Sequence, residues 1–84
     1  TMPGGGQANA PTHRLDVRGF RCPIPVGETR QALGGLERGH VLEVRFDDPE
    51  ALEDLPPMLA RHGHKMLSIE EIAGDWRMCI EVMM

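Results

Sequence analysis

LDVRGFRCPIPVGETRQAL, residues 15–33, contains a change of period that decides the fold. Leu15 and Val17 alternate with Arg14, Asp16 and Arg18, the pattern of a half-buried strand, and Gly19 ends it. Val26, Thr29, Arg30, Leu33 and Leu36 then recur at helical spacing. Pro25 suits the first helical position, and Gly34, Gly35 and Gly39 mark the exit. Cys22 lies at the junction with Pro23 and Pro25 behind it, so the most reactive side chain of the segment sits where a strand becomes a helix.

The rest of the chain repeats the alternation of periods. In HVLEVRF, residues 40–46, Leu42, Val44 and Phe46 share one face and Glu43 and Arg45 the other, a strand with one wet side. Asp48 is a plausible N-cap with Pro49 at the first helical position. Pro56 and Pro57 predict a break or kink after Leu55, with a second turn or two through Arg61. KMLSIEEIA and DWRMCIEVMM flank Gly74 as a β-hairpin.

The order is therefore β-α-β-α-β-β. Trp76, Met78, Ile80 and Val82 occupy one face of the last strand and Arg77, Cys79 and Glu81 the other. Helices on both sides of the sheet would need apolar residues on both faces. The predicted fold is a two-layer α/β (α+β) sandwich, a four-stranded mixed sheet with both helices on one face. The six methionines are read as partly filling that core, a packing role and not a ligand site.

A chain of 84 residues with 40% hydrophobic and 26% charged residues is one small domain, placed at residues 14–84. Residues 1–13, TMPGGGQANAPTH, have almost nothing to bury and read as a disordered tail with a solvated His13 at its edge. The net charge of −4 and the absence of clustered Lys and Arg disfavour direct nucleic-acid binding and shift the weight to protein partners. No apolar run nears the roughly 20 residues of a membrane span, and the N-terminus has no signal-peptide core, which points to a cytoplasmic chain with no membrane partner. Two cysteines without a CxxC fit neither a disulfide framework nor a dithiol or zinc motif.

Cys22 carries the chemical expectation. Pro23 biases it toward extended backbone, and the two prolines stiffen the loop. The amides of Val26, Gly27 and Glu28 and the positive end of the helix dipole are expected to point toward the sulfur. Arg18 and Arg21 would favour the thiolate further, while a Glu28 carboxylate in the first helical turn would oppose it. The competing reading is a buried cysteine filling the core. Cys79, mid-strand on the polar face, has no helix start or proline pattern to mark it. His62 and His64 around Gly63 offer two ligands where a structural zinc site takes four, so they read as a helix exit and no metal is assigned. The acidic run DDPEALED reads as a capped helix start that also suits a basic partner.

The same stretch resembles the N-terminal signature of the TusA-like (SirA-like) sulfur carrier proteins, in which an Asp, a Gly and a Cys-Pro-x-Pro box recur at this spacing. The likeness runs on through VLEVRFDDP, DLP and GH, over nearly all of residues 14–83. It implies the same β-α-β-α-β-β fold, a persulfide on Cys22, and no cofactor. Asp16, Gly19, Pro23 and Pro25 match the motif as supporting residues, and Arg21 and Gly27 join them by their place around the box. The resemblance further implies a sulfur-donor protein, such as a cysteine desulfurase or another persulfide donor, a sulfur-acceptor protein, and a monomer when free. The chain departs from many relatives at its end, where Val82, Met83 and Met84 replace a basic residue.

The chemistry suits the residues: a thiolate takes the outer sulfur of a donor persulfide, and an acceptor thiolate removes it again. Stoichiometric carriage and enzymatic turnover as a sulfurtransferase both fit. Two other classes stay open, an interaction or regulatory module whose box is purely structural, and a thiol redox protein working through a Cys22–Cys79 disulfide or a sulfenic acid.

Overall fold

A computed structural model describes residues 10–83. The strands are β1 (His13–Asp16), β2 (Val41–Phe46), β3 (Lys65–Ile72) and β4 (Asp75–Glu81), and the helices are α1 (Ile24–Gly34) and α2 (Pro49–Arg61). They follow in the order β1-α1-β2-α2-β3-β4. The sheet runs β1-β2-β4-β3, with β1 parallel to β2 and the other two pairings antiparallel.

Period-2 patterning sets the register. Leu42 lies opposite Ile80, Val44 opposite Met78 and Phe46 opposite Trp76, so the apolar sets of β2 and β4 fall on one face. There they meet Leu33 of α1 and Ala51, Leu55, Met58 and Leu59 of α2 in a single core. Phe46 stacks on Trp76 with ring centroids 5.6 Å apart, which packs the half-buried Trp76 against the core. Both helices pack on this face, as the one-sided strands require.

Three local expectations are corrected. First, β1 begins at His13, and the Thr12 amide already donates to the Val41 carbonyl at 2.8 Å, so pairing with β2 starts before Arg14; of the tail expected over residues 1–13, residues 1–9 lie outside the described residues. Second, α2 runs unbroken through Pro56 and Pro57. Its face of Ala51, Leu55, Met58 and Leu59 is buried, and that burial outweighs the two helical hydrogen bonds the prolines cannot donate. Third, the polar side of β2 is not wet: Glu43 is only 8% exposed, because β2 lies between β1 and β4 and Arg14 reaches over it at 3.5 Å. The methionines fill the core in part, as expected: of those described, Met58 and Met78 are buried in it and Met66 and Met83 are exposed.

The chain reversals follow local chemistry. Asp48 caps α2 by accepting the Glu50 amide at 3.1 Å. Gly63, at φ +77°, ends α2: its own amide donates to the Ala60 carbonyl and the His64 amide to the Leu59 carbonyl, the paired bonds of a Schellman cap. Ala73 (φ 51°) and Gly74 (φ 95°) form the two-residue turn between β3 and β4.

Candidate functional site

The loop from β1 to α1 is built by two consecutive aspartates 26 to 28 residues further along the chain. Val17 extends the β1–β2 pairing by donating its amide to the Arg45 carbonyl at 2.9 Å, and Gly19 then turns the chain at φ +88°. A Cβ on Gly19 would meet nothing within 4 Å, so the need for glycine there is conformational, not spatial. The Gly19 amide donates to Asp47 Oδ1 at 3.0 Å, and the Arg21 guanidinium donates to the same oxygen at 3.0 Å. The Asp47 carboxyl is held below its usual range by the Gly19 amide first and by Arg21 next.

Asp48 does the second half of the work. Its Oδ2 accepts the Cys22 amide hydrogen at 2.8 Å while its Oδ1 caps α2. One buried carboxylate thus fixes the backbone of Cys22 to the start of the neighbouring helix. The Cys22–Pro23 peptide bond is cis, Pro23 is exposed, and Pro25, in the first turn of α1, is buried. Thr29, fully buried, satisfies its hydroxyl by donating to the Pro25 carbonyl at 2.8 Å.

Asp16 stands apart from this cluster. It accepts the backbone amide and the guanidinium of Arg18 at 2.7–3.0 Å, and that guanidinium hydrogen bond is the main reason its pKa falls to about 2. Arg18 reaches on to Asp75, which also pairs with Arg45 at 2.6 Å. Asp16 therefore braces the exit of β1 without touching the thiol.

Cys22 is exposed, which removes the core-filler reading. It opens onto a groove of about 600 Å³ between the two helices. Pro23, Val26, Gly27 and Arg30 form one wall, and Asp54, Pro57, Met58, Arg61 and His62 the other. The spacing is one helical stripe on each side, and a Cβ at Gly27 would project into open space.

The electrostatic expectation for Cys22 is reversed. Shielding from water pushes the thiol pKa up, and the carboxylates of Glu50, Asp54 and Asp48 push it further the same way. α1 begins at Ile24, one residue early, so Pro25 is its second residue and Glu28 lies beyond the first turn. The Ile24 amide is taken by the Arg21 carbonyl and the Gly27 amide by the Pro23 carbonyl. Arg18 and Arg21 are spent on Asp16, Asp75 and Asp47. The charges that matter come from α2 across the groove, which a reading of the residues flanking Cys22 does not reach. Asp48 was legible as a cap from the DDP sequence, but its bond to Cys22 was not.

Cys79 faces away from the helices, opposite Glu43 of β2 and Ser68 of β3. The sheet lies between it and the groove. His62 lines the groove, while His64 Nδ1 accepts the Met83 amide at 3.3 Å, and burial lowers the His64 pKa, with His62 adding to it.

A two-layer β-α-β-α-β-β domain with one exposed cysteine at the entrance of the first helix defines a class of small thiol proteins. Comparison with known proteins places the chain within it. A family model described as "Sulfurtransferase TusA" matches residues 13–82, and the chain belongs to the TusA family. It is 42% identical over 72 residues to a Thermotoga maritima protein named "Putative sulfur carrier protein", covering 84% of this chain and 91% of that one. It is 36% identical over 71 residues to the Escherichia coli "Putative sulfur carrier protein YedF", covering 84% and 92% respectively. The crystal structure of a SirA-like protein from Desulfitobacterium hafniense superposes with a TM-score of 0.76 at 26% identity, over 87% of this chain and all of that one. Among the described residues no helix is long and apolar enough to cross a membrane.

Proposed function

We propose that the protein is a sulfur carrier that accepts sulfane sulfur as a persulfide on Cys22 and hands it to an acceptor protein. The observation that carries this reading is the exposure of Cys22 at the mouth of the inter-helix groove, with its backbone anchored by Asp48. The anchored thiol supplies the nucleophile, and the groove gives a partner cysteine room to approach it.

In the loading step the Cys22 thiolate attacks the outer sulfur of a donor persulfide, the S–S bond of the donor breaks, and the donor cysteine leaves as thiolate. In the unloading step an acceptor thiolate attacks the outer sulfur on Cys22, and Cys22 leaves as thiolate. The outer sulfur keeps its oxidation state throughout, and neither step calls on an outside oxidant or reductant. A second cysteine beside the first would attack the inner sulfur and expel hydrosulfide. Cys79, on the opposite side of the sheet, favours retention of the cargo and weighs against an intramolecular disulfide.

The unloading half tests the proposal. Protein loaded with sulfane sulfur, freed of donor and mixed with an acceptor thiol, loses one sulfur atom as the acceptor gains one. Release of that sulfur only as free sulfide would contradict carriage.

A further inference from the structure

The groove beside Cys22 is charged at both ends with opposite signs. At the Cys22 end lie Asp54 on the groove wall, Glu50 one turn earlier on α2, and the capping Asp48. Two helical turns further on, by about 10 Å of helical rise, stand Arg30 of α1 and Arg61 of α2. Arg14, Arg18, Arg21, Arg45 and Arg77 each meet a carboxylate. Among the described residues Arg30, Arg38, Arg61 and Lys65 meet none, and of these Arg30 and Arg61 line the groove, which Asp54 lines as well. Phe20 and Ile24, 49% and 45% exposed, flank the cysteine and give the acidic end an apolar border.

Unpaired charges of opposite sign at the two ends of a groove select an occupant with the reverse polarity. Resting on the carrier reading of Cys22, we propose that the α1–α2 groove docks an extended segment of a partner protein bearing a cationic side chain beside its sulfur-exchanging cysteine and a carboxylate about 10 Å further along. The cation meets Glu50 and Asp54, the carboxylate meets Arg30 and Arg61, and the register places the two sulfurs together. Seating the cation also offsets the negative field on Cys22, so the thiolate forms when the correct partner is in place. The polarity of the groove is then both the address and the trigger.

Two capped peptides, Lys-Cys-Gly-Gly-Gly-Glu and Glu-Cys-Gly-Gly-Gly-Lys, each activated at cysteine as a 2-pyridyl disulfide, test this in a Cys79→Ser background. Cys22 thiolate attacks the peptide sulfur, a mixed disulfide forms, and pyridine-2-thione leaves and is read by its absorbance. Four extended residues span about 13 Å, enough to reach from the thiol to the arginines. The Lys-Cys peptide is expected to react about tenfold faster at low salt, with the ratio closing toward one at high salt. The ratio also shrinks in Glu50→Gln/Asp54→Asn and in Arg30→Gln/Arg61→Gln. A change that a substitution makes to the pKa of Cys22 in the free protein acts on both peptides alike and cancels from the ratio. Equal rates, a preference for the Glu-Cys peptide, or a ratio untouched by both double variants would overturn the proposal. The readout needs no persulfide, so failure of Cys22 to load sulfur counts against the carrier reading and leaves this result to stand or fall by itself.

Discussion

Asp48 and Cys22, 26 residues apart, are joined by a 2.8 Å hydrogen bond from the Cys22 amide to Asp48 Oδ2. Because Oδ1 of the same carboxylate caps α2, the thiol loop and the second helix share one anchor. Replacing Asp48 by Ala removes a cap and a charge-assisted bond together, at an expected cost of about 2–4 kcal/mol. Asp48→Asn keeps one acceptor oxygen and costs about half as much. Chemical denaturation of both variants checks the order, and hydrogen exchange at the Cys22 amide rises in each.

The Cys22 thiol is expected to titrate above the ordinary cysteine value, because shielding from water and the carboxylates of Glu50, Asp54 and Asp48 all disfavour the thiolate. The rate of alkylation by iodoacetamide as a function of pH reads this directly in a Cys79→Ser background. Glu50→Gln/Asp54→Asn moves the midpoint down and speeds alkylation at neutral pH. A wild-type midpoint below that of a free cysteine would contradict the described field.

Asp16 contributes to stability only while ionised. Its folded pKa, about 2, lies below the ordinary aspartate value of 3.8, so its contribution is present above pH 4 or so and is lost as pH falls toward 2. The pair with Arg18 is half in solvent, so screening by water keeps its worth small. Asp16→Asn is therefore expected to be slightly less stable than wild type at pH 7 and equal to it near pH 2. Parallel denaturation curves at the two pH values measure the difference.

Ala73 adopts φ 51° in a two-residue hairpin turn that favours Asn before Gly. Ala73→Asn is expected to stabilise the fold by about 0.5–1 kcal/mol, raising Tm by about 4 °C. The site lies at the β3–β4 turn, away from the groove, so Cys22 alkylation is unchanged.

Most of the architecture was legible because strands and helices impose different periods. Trp76, Met78, Ile80 and Val82 had only one layer to face, and Gly74 marked the hairpin. Cys22 was legible from its place at a strand-to-helix junction followed by two prolines. The passage of α2 through Pro56 and Pro57 was not, because local propensity speaks for a break while the buried face of Leu55, Met58 and Leu59 keeps the helix whole. Glu43 looked wet because its strand alternates, and only the strand order reveals that its neighbours cover it. The sign of the Cys22 field was hidden for the same reason: Arg18 and Arg21 are close in sequence but engaged elsewhere, and Glu50 and Asp54 are distant in sequence but near in space.

The central claim is that Cys22 holds the cargo. Intact-protein mass spectrometry after exposure to a cysteine desulfurase and cysteine tests it most directly, on wild type, Cys22→Ser and Cys79→Ser in parallel. The account predicts one added, reducible sulfur atom on wild type and on Cys79→Ser, and none on Cys22→Ser. An added sulfur that survives in Cys22→Ser, or none on wild type from this or any other persulfide donor, would contradict it.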